Sequence, residues 1–255
     1  MKAIVLTCDR YRALTDHMLH TYQQLWPDNP FQFVVPYQDY PTGLKAKYGE
    51  KILPLPSPRE IMPTMQRLFE TFGDDEWIYW CIDDKYVMWI DGQHARKIHD
   101  WVVGVDDPMI RSVTFCRCRM SLNPKFLEMD RPHQTPDGQV LYEKMVDSEP
   151  WVHQFLRGRV LKELFARFPN RPFPAKEMDD FYSSRLPVPG QKWLVTERNL
   201  VTLGESTVRG RLTANCVESL DRWGLEIPPG FDLSTRRVLM GHAGEPVPPL
   251  PGFAS

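Results

Sequence analysis

The residues of this chain best suited to chemistry are its adjacent acids and a pair of guanidinium groups. Asp83-Asp84 follows directly on the apolar run from Glu76 to Ile82. Two neighbouring carboxylates at the open end of a buried strand repel each other unless a cation or ligand neutralises them. A hard divalent ion such as Mg²⁺ or Mn²⁺ takes oxygens from one or two carboxylates plus phosphate oxygens, so such a site would bridge to a nucleotide diphosphate. The alternative is a pair of solvated loop acids, one capping the next turn. Arg209 and Arg211 flank Gly210, where the backbone is free to approach a ligand. They would stabilise a leaving diphosphate, or form an ordinary basic loop. Asp179-Asp180 is a second acidic pair. Adjacent acids raise one another's pKa, which suits a general base acting on an acceptor hydroxyl near neutral pH. The other reading is a helix N-terminus with favourable dipole charges. His153 lies beside an apolar face and reads as structural.

The elements that must position these groups come from the apolar pattern. Lys2 to Cys8 is a short run rich in β-branched residues, the pattern of a buried strand. Leu14, Met18, Leu19, Tyr22, Leu25 and Trp26 form one helical face, which stops at Pro27-Asp28-Asn29-Pro30. Strands are expected at Phe31 to Val35, Ile52 to Leu55 and Glu76 to Ile82. Between the last two, a helix begins at Ser57 or, given Pro63, near Ile61. This alternation predicts a mainly parallel sheet with helices on both faces. Ligands bind beyond the carboxyl ends of such strands. Thr7-Cys8-Asp9-Arg10 and Asp83-Asp84-Lys85 would then lie at one edge.

Further on, helices are expected at Asp91 to Val102, within Trp151 to Phe168, and at Thr213 to Trp223 with Gly224 as stop signal. Ile110 to Phe115, Trp193 to Thr196 and Leu200 to Leu203 read as strands, while residues 120–150 carry weak periodicity. Trp80 and Trp89 bracket the acidic pair and are candidates to face sugar rings.

Composition bounds the rest. At roughly 150 residues per domain, 255 residues give one or two domains. We read a single domain over 1–255: a nucleotide half (1–115), an acceptor half (116–235) and a proline-rich tail (236–255). Lys+Arg 31 against Asp+Glu 33 leaves a net charge of −2, which argues against nucleic acid or an anionic membrane as partner. No stretch approaches the roughly 18 apolar residues of a membrane span. Five cysteines without a signal segment read as reduced thiols in the cytoplasm. Cys116-Arg117-Cys118 lacks a second pair at zinc-ligand spacing.

A strand ending in an acidic pair within an alternating N-terminal half resembles the nucleotide-sugar glycosyltransferases of the GT-A fold. The stretch Trp151 to Leu164 is similar to the acceptor-side helix of small bacterial members. Glu177-Met178-Asp179-Asp180 and Glu205-Ser206-Thr207-Val208-Arg209-Gly210-Arg211 also fit that family. The resemblance implies a GT-A-like α/β fold, a nucleotide diphosphate sugar donor such as a UDP-sugar, an acceptor of unspecified kind, and Mn²⁺ or Mg²⁺. It places the metal on Asp84, with Asp83 as second ligand or ribose partner. Thr7, Asp9, Arg10 and Tyr11 stand where the family binds the nucleoside, Tyr11 suited to stack on the base; they also read as a plain turn into a helix. The metal on Asp84 follows if Ile82-Asp83-Asp84 is the motif, its first acid replaced by isoleucine; if Asp83-Asp84-Lys85 is the motif, its third position is a cation, and Lys85 would instead contact phosphate and lessen the need for a metal. A non-catalytic binding protein that keeps the fold is the competing reading.

Overall fold

Strand β1 (Lys2–Leu6) lies between β2 (Gln32–Tyr37) and β4 (Trp77–Ile82), parallel to both, with Leu6 opposite Ile82. The structure, a computed structural model, describes residues 1–39, 43–145, 150–169, 171, 177 and 190–241. β3 (Ile52–Pro56) extends the sheet beyond β2, also in parallel. On the other side come β9 (Gln154–Arg157), β6 (Ile110–Thr114), β10 (Lys192–Thr196), β8 (Val140–Lys144) and β7 (Leu127–Gln134). Only β8 and β9 run against the rest, so the nine-stranded sheet is mainly parallel. The carboxyl ends of β1, β4, β6 and β10 therefore share one edge.

All six residues of β4 are buried. Its odd positions Trp77, Tyr79 and Cys81 face one apolar layer, and Ile78, Trp80 and Ile82 face the other. The first layer is built on α1 (Arg12–Leu25) through Leu14, Met18 and Tyr22, and on α4 (Gly92–Val103) through Ala95, Ile98 and Val102. The second is built on α3 (Ile61–Phe69) and α5 (Gly158–Ala166). A strand apolar on both faces between two helical layers is the arrangement expected of an α/β core. Helix α2 (Leu44–Tyr48) is a short connector before β3. Helix α3 begins after Glu60, which places Pro63 in the first turn, where no intrahelical N–H is needed.

The helix expected within 151–168 is present as α5, but it starts only at Gly158; Gln154–Arg157 before it form β9, hydrogen-bonded to β4 on one side and β6 on the other. A short run buried on both faces has no periodicity that separates strand from helix. The amide of Gly158 donates to the Glu76 carbonyl at 2.9 Å, and that of Arg159 to Asp74 at 2.8 Å. An added Cβ at Gly158 would lie 2.1 Å from the Gly73 carbonyl oxygen, so only glycine permits this docking. Lys85–Ile90, where the sequence pattern announces no element, form a strand, β5. It pairs with β11 (Val201–Glu205), and β11 with β15 (Leu239–Met240), as a separate antiparallel sheet over α1. Weakly patterned residues 127–144 supply the β7–β8 ladder. Strands β12 (Thr207–Val208), β13 (Arg211–Leu212) and β14 (Asp232–Leu233) make a small third sheet. Helix α6 (Ala214–Arg222) follows, with Gly224 at φ 62° where the stop was expected.

Candidate active site

The acidic pair sits at the turn between β4 and β5, where the chain passes from the large sheet to the second one. The Asp83 amide donates to the Leu6 carbonyl at 3.2 Å, which fixes the pair beside Thr7 at the end of β1. Beneath it, buried His153 donates from Nε2 to the Ile82 carbonyl at 3.0 Å, while its Nδ1 lies 2.9 Å from the Tyr22 hydroxyl. Burial holds His153 at about 4, so it stays neutral and serves as the structural tie the sequence suggested. Asp83 is half-buried. Burial, with Asp84 adding to it, pushes its carboxyl up to about 8; the Thr7 hydroxyl and Lys85 oppose this shift.

Lys85, whose side chain is 3% exposed, places Nζ 2.9 Å from Asp84 Oδ1 and 3.1 Å from Glu205 Oε1. Glu205 stands directly across from Lys85 in the β5–β11 ladder, a cross-strand pair of opposite charge. Burial alone would lower the Lys85 pKa, but the two carboxylates more than reverse that, and the ammonium is held above its ordinary value. The Ser206 amide donates to the Asp84 carbonyl at 2.6 Å. The end of β11 is thereby bonded to the acidic turn. Sequence reasoning did not single out Glu205 as a site residue; the signal was its alternation opposite Lys85, legible only once β5 is recognised as a strand.

The residues after β1 divide into two groups. The Thr7 hydroxyl lies 2.6 Å from that of Thr15. Tyr11 packs on Phe231 with ring centroids 5.6 Å apart, and burial, assisted by the fields of Asp83 and Asp84, raises its phenol. Cys8 feels the Asp83 charge too, although burial is the main cause of its raised thiol pKa. Thr7, Cys8 and Tyr11 thus border the acidic turn. Asp9 is tied to the loop after β2: it accepts the amides of Gln38 (3.3 Å) and Asp39 (2.8 Å), and it pairs with Arg12 at 2.7 Å. Burial acts to raise its pKa, but those donors win and lower it.

Arg209 and Gly210 have φ of 52° and 74°, which makes them the two-residue tip of the β12–β13 hairpin. The base of that hairpin is closed by the Thr213 amide on the Ser206 carbonyl, next to Asp84. Arg211 lies 3.8 Å from Asp232, and both side chains are mostly exposed. Among the described residues, Arg10 and Arg209 form no ion pair, though Arg10 lies over the Tyr11 ring at 5.8 Å. Asp179 and Asp180 lie outside the described residues. Trp80 is fully buried and donates to the Pro150 carbonyl at 2.5 Å; it packs in the core and does not face a sugar.

The oxygens expected to hold Mn²⁺ or Mg²⁺ fit a resident divalent ion poorly. Among the described residues no three His, Cys, Asp or Glu side chains are grouped for a metal. Asp84 already shares one oxygen with the Lys85 ammonium. A divalent ion on the same carboxylate would share it with that ammonium, whose like charge opposes the ion. A cavity of about 240 Å³ lies elsewhere, at the end of β10, lined by His94, Gln139, Thr196, Glu197 and Arg198. The length of β5, about 17 Å, separates it from the acidic turn. The chemistry concentrates at the turn, and we place the site there.

No family profile matches this chain, and no curated protein does. Among solved structures, it is similar to the galactosyltransferase LgtC in complex with donor and acceptor sugar analogues. There the identity is 12%, with 73% of this chain and 67% of that one covered, at a TM-score of 0.39. It is also similar to the 2-C-methyl-D-erythritol 4-phosphate cytidylyltransferase of Francisella tularensis, at 11% identity over 88% of this chain and 99% of that one, TM-score 0.42. A glycosyltransferase involved in the glycosylation of the major capsid of PBCV-1 shares 18% identity over 87% and 88%, TM-score 0.30. These are likenesses of chain path; the functional reading rests on the site's own residues. No helix among the described residues is long and apolar enough to cross a membrane.

Proposed function

We propose that the chain binds a nucleotide diphosphate sugar, a UDP-sugar in the first instance, across the ends of β1 and β4 and transfers the sugar to an acceptor. The observation that carries this reading is the meeting of Thr7, Cys8 and Tyr11 with Asp83, Asp84, Lys85 and Glu205 at one sheet edge. The free oxygen of Asp84 and the protonated carboxyl of Asp83 suit hydroxyl groups of the ribose or the sugar, one accepting and the other donating. Tyr11 presents a ring for the base. Arg10 and Arg209, with Arg211 behind, suit the diphosphate, whose charge grows as the sugar leaves. Asp9 acts by holding the loop that carries these groups. Asp179 or Asp180 is proposed as the base for the acceptor hydroxyl. The order of weak motifs over about residues 1–230 is similar to that of majastridin, a GT-A-like protein, which is a further reason to place the chain near that group. The five cysteines are all free thiols, four of them buried, consistent with a proposed cytoplasmic location.

Calorimetric titration with UDP tests the proposal. We expect saturable binding to the wild type and at least about tenfold weaker binding to Asp84→Ala, the loss of a charge-assisted hydrogen bond. Absence of binding by the wild type would sink it. The partly neutralised motif Asp84–Lys85–Glu205 favours a second reading, a nucleotide-binding protein without turnover. UDP release from a panel of UDP-sugars separates the two: binding without release favours the second.

A further inference from the structure

The ammonium of Lys85 sits between the carboxylates of Asp84 and Glu205 at the acidic turn. It is 3% exposed, lies within 3.1 Å of two carboxylates, and reaches them from the strand that starts at the acidic turn. A buried lysine of this kind is not a surface ornament. Long, flexible surface lysines gain little from an ion pair, whereas this one is desolvated and held on two sides. Together Asp84, Glu205 and Lys85 carry a single net negative charge where the acids alone would carry two. The group that offsets them is covalently attached and cannot dissociate or be chelated.

We propose that Lys85 is a built-in replacement for the divalent cation, so that this chain binds its nucleotide diphosphate independently of metal. The inference rests on the nucleotide-binding reading above and adds what that reading leaves open, the counter-ion of the acidic motif. The phosphates are then met by the guanidinium groups of Arg10 and Arg209, with Asp84 steered by Lys85 toward sugar hydroxyls. Lys85 is in this account a positioning residue: it acts through Asp84 and Glu205.

The test is UDP titration of the wild-type protein in EDTA and again in excess Mn²⁺, with Mn²⁺ binding to the nucleotide-free protein followed by electron paramagnetic resonance. We expect dissociation constants that agree within about twofold and no Mn²⁺ bound by the free protein. Affinity at least about tenfold higher with Mn²⁺ overturns the proposal and leaves the nucleotide reading standing. No UDP binding in either condition overturns both. Lys85→Met removes the ammonium while keeping most of the side-chain volume. If its circular dichroism matches the wild type, it should gain Mn²⁺ binding, and a folded variant that gains none contradicts the assignment. The wild-type comparison stands on its own should that variant fail to fold.

Discussion

Replacing Asp83 with Asn changes stability in a pH-dependent way whose sign and size follow from the site. Burial raises this carboxyl from its ordinary 3.8 to about 8. Between those values the folded chain keeps a proton that the unfolded chain has released, so wild-type stability falls as pH rises. The slope reaches at most about 1.4 kcal/mol per pH unit for one proton. Integrated from about pH 5.5 to about pH 8, the loss is about 3 kcal/mol. Asparagine has nearly the same shape, retains a donor and does not titrate. The stability of Asp83→Asn relative to wild type should therefore improve by about 3 kcal/mol over that interval. Below about pH 3 the carboxyl is protonated in both states, and the difference loses its titration component. Urea denaturation of both proteins across the range gives the comparison free of all other titrating groups. Parallel stability curves would show that Asp83 does not carry a raised pKa in the folded chain, and would remove the neutral donor from the site.

Other positions give sharper structural tests. Asp9→Ala should cost about 1–3 kcal/mol, because the amides of Gln38 and Asp39 lose their acceptor. The Asp9 pKa is depressed, so this contribution is present above the ordinary carboxylate range and fades as pH falls through the lower folded value; acid titration of both proteins should show their stabilities converging. Gly158→Ala forces a methyl group against the Gly73 carbonyl and should cost about 3 kcal/mol or more by denaturant unfolding. An unchanged midpoint would contradict the docking of α5. Arg209→Gly relieves the positive φ at the hairpin tip, so stability should hold or rise by about 0.5–1 kcal/mol. The same variant should bind UDP roughly fivefold more weakly if Arg209 meets the diphosphate. A fall in stability with unchanged binding would assign Arg209 to the hairpin alone.

The sheet was legible in the sequence where local pattern and burial agree. β1, β2 and β4 are apolar runs of β-branched and aromatic residues, and α1, α3 and α6 show helical stripes between clear stop signals. The pattern misled where two sheets meet. Lys85–Ile90 follows β4 after only two residues, yet joins a different sheet, and nothing local announces that its partner is β11, more than a hundred residues on. Missing β5 hid Glu205, because a cross-strand neighbour has no signature in sequence spacing. Residues 154–157 were taken into a helix because a strand buried on both faces lacks a two-residue alternation. Asp83-Asp84 stood out because two acids after an apolar strand are conspicuous. That the Lys85 ammonium is shared between Asp84 and Glu205 is a matter of burial and distance, visible only in three dimensions.

A crystal structure with UDP tests whether a nucleotide diphosphate lies across the carboxyl ends of β1 and β4. We expect the base against Tyr11, the ribose at the Asp83-Asp84 turn, and the phosphates toward Arg10 and Arg209, with Lys85 still seated between Asp84 and Glu205. UDP in the cavity at the end of β10, or in any place away from the acidic turn, would contradict this placement.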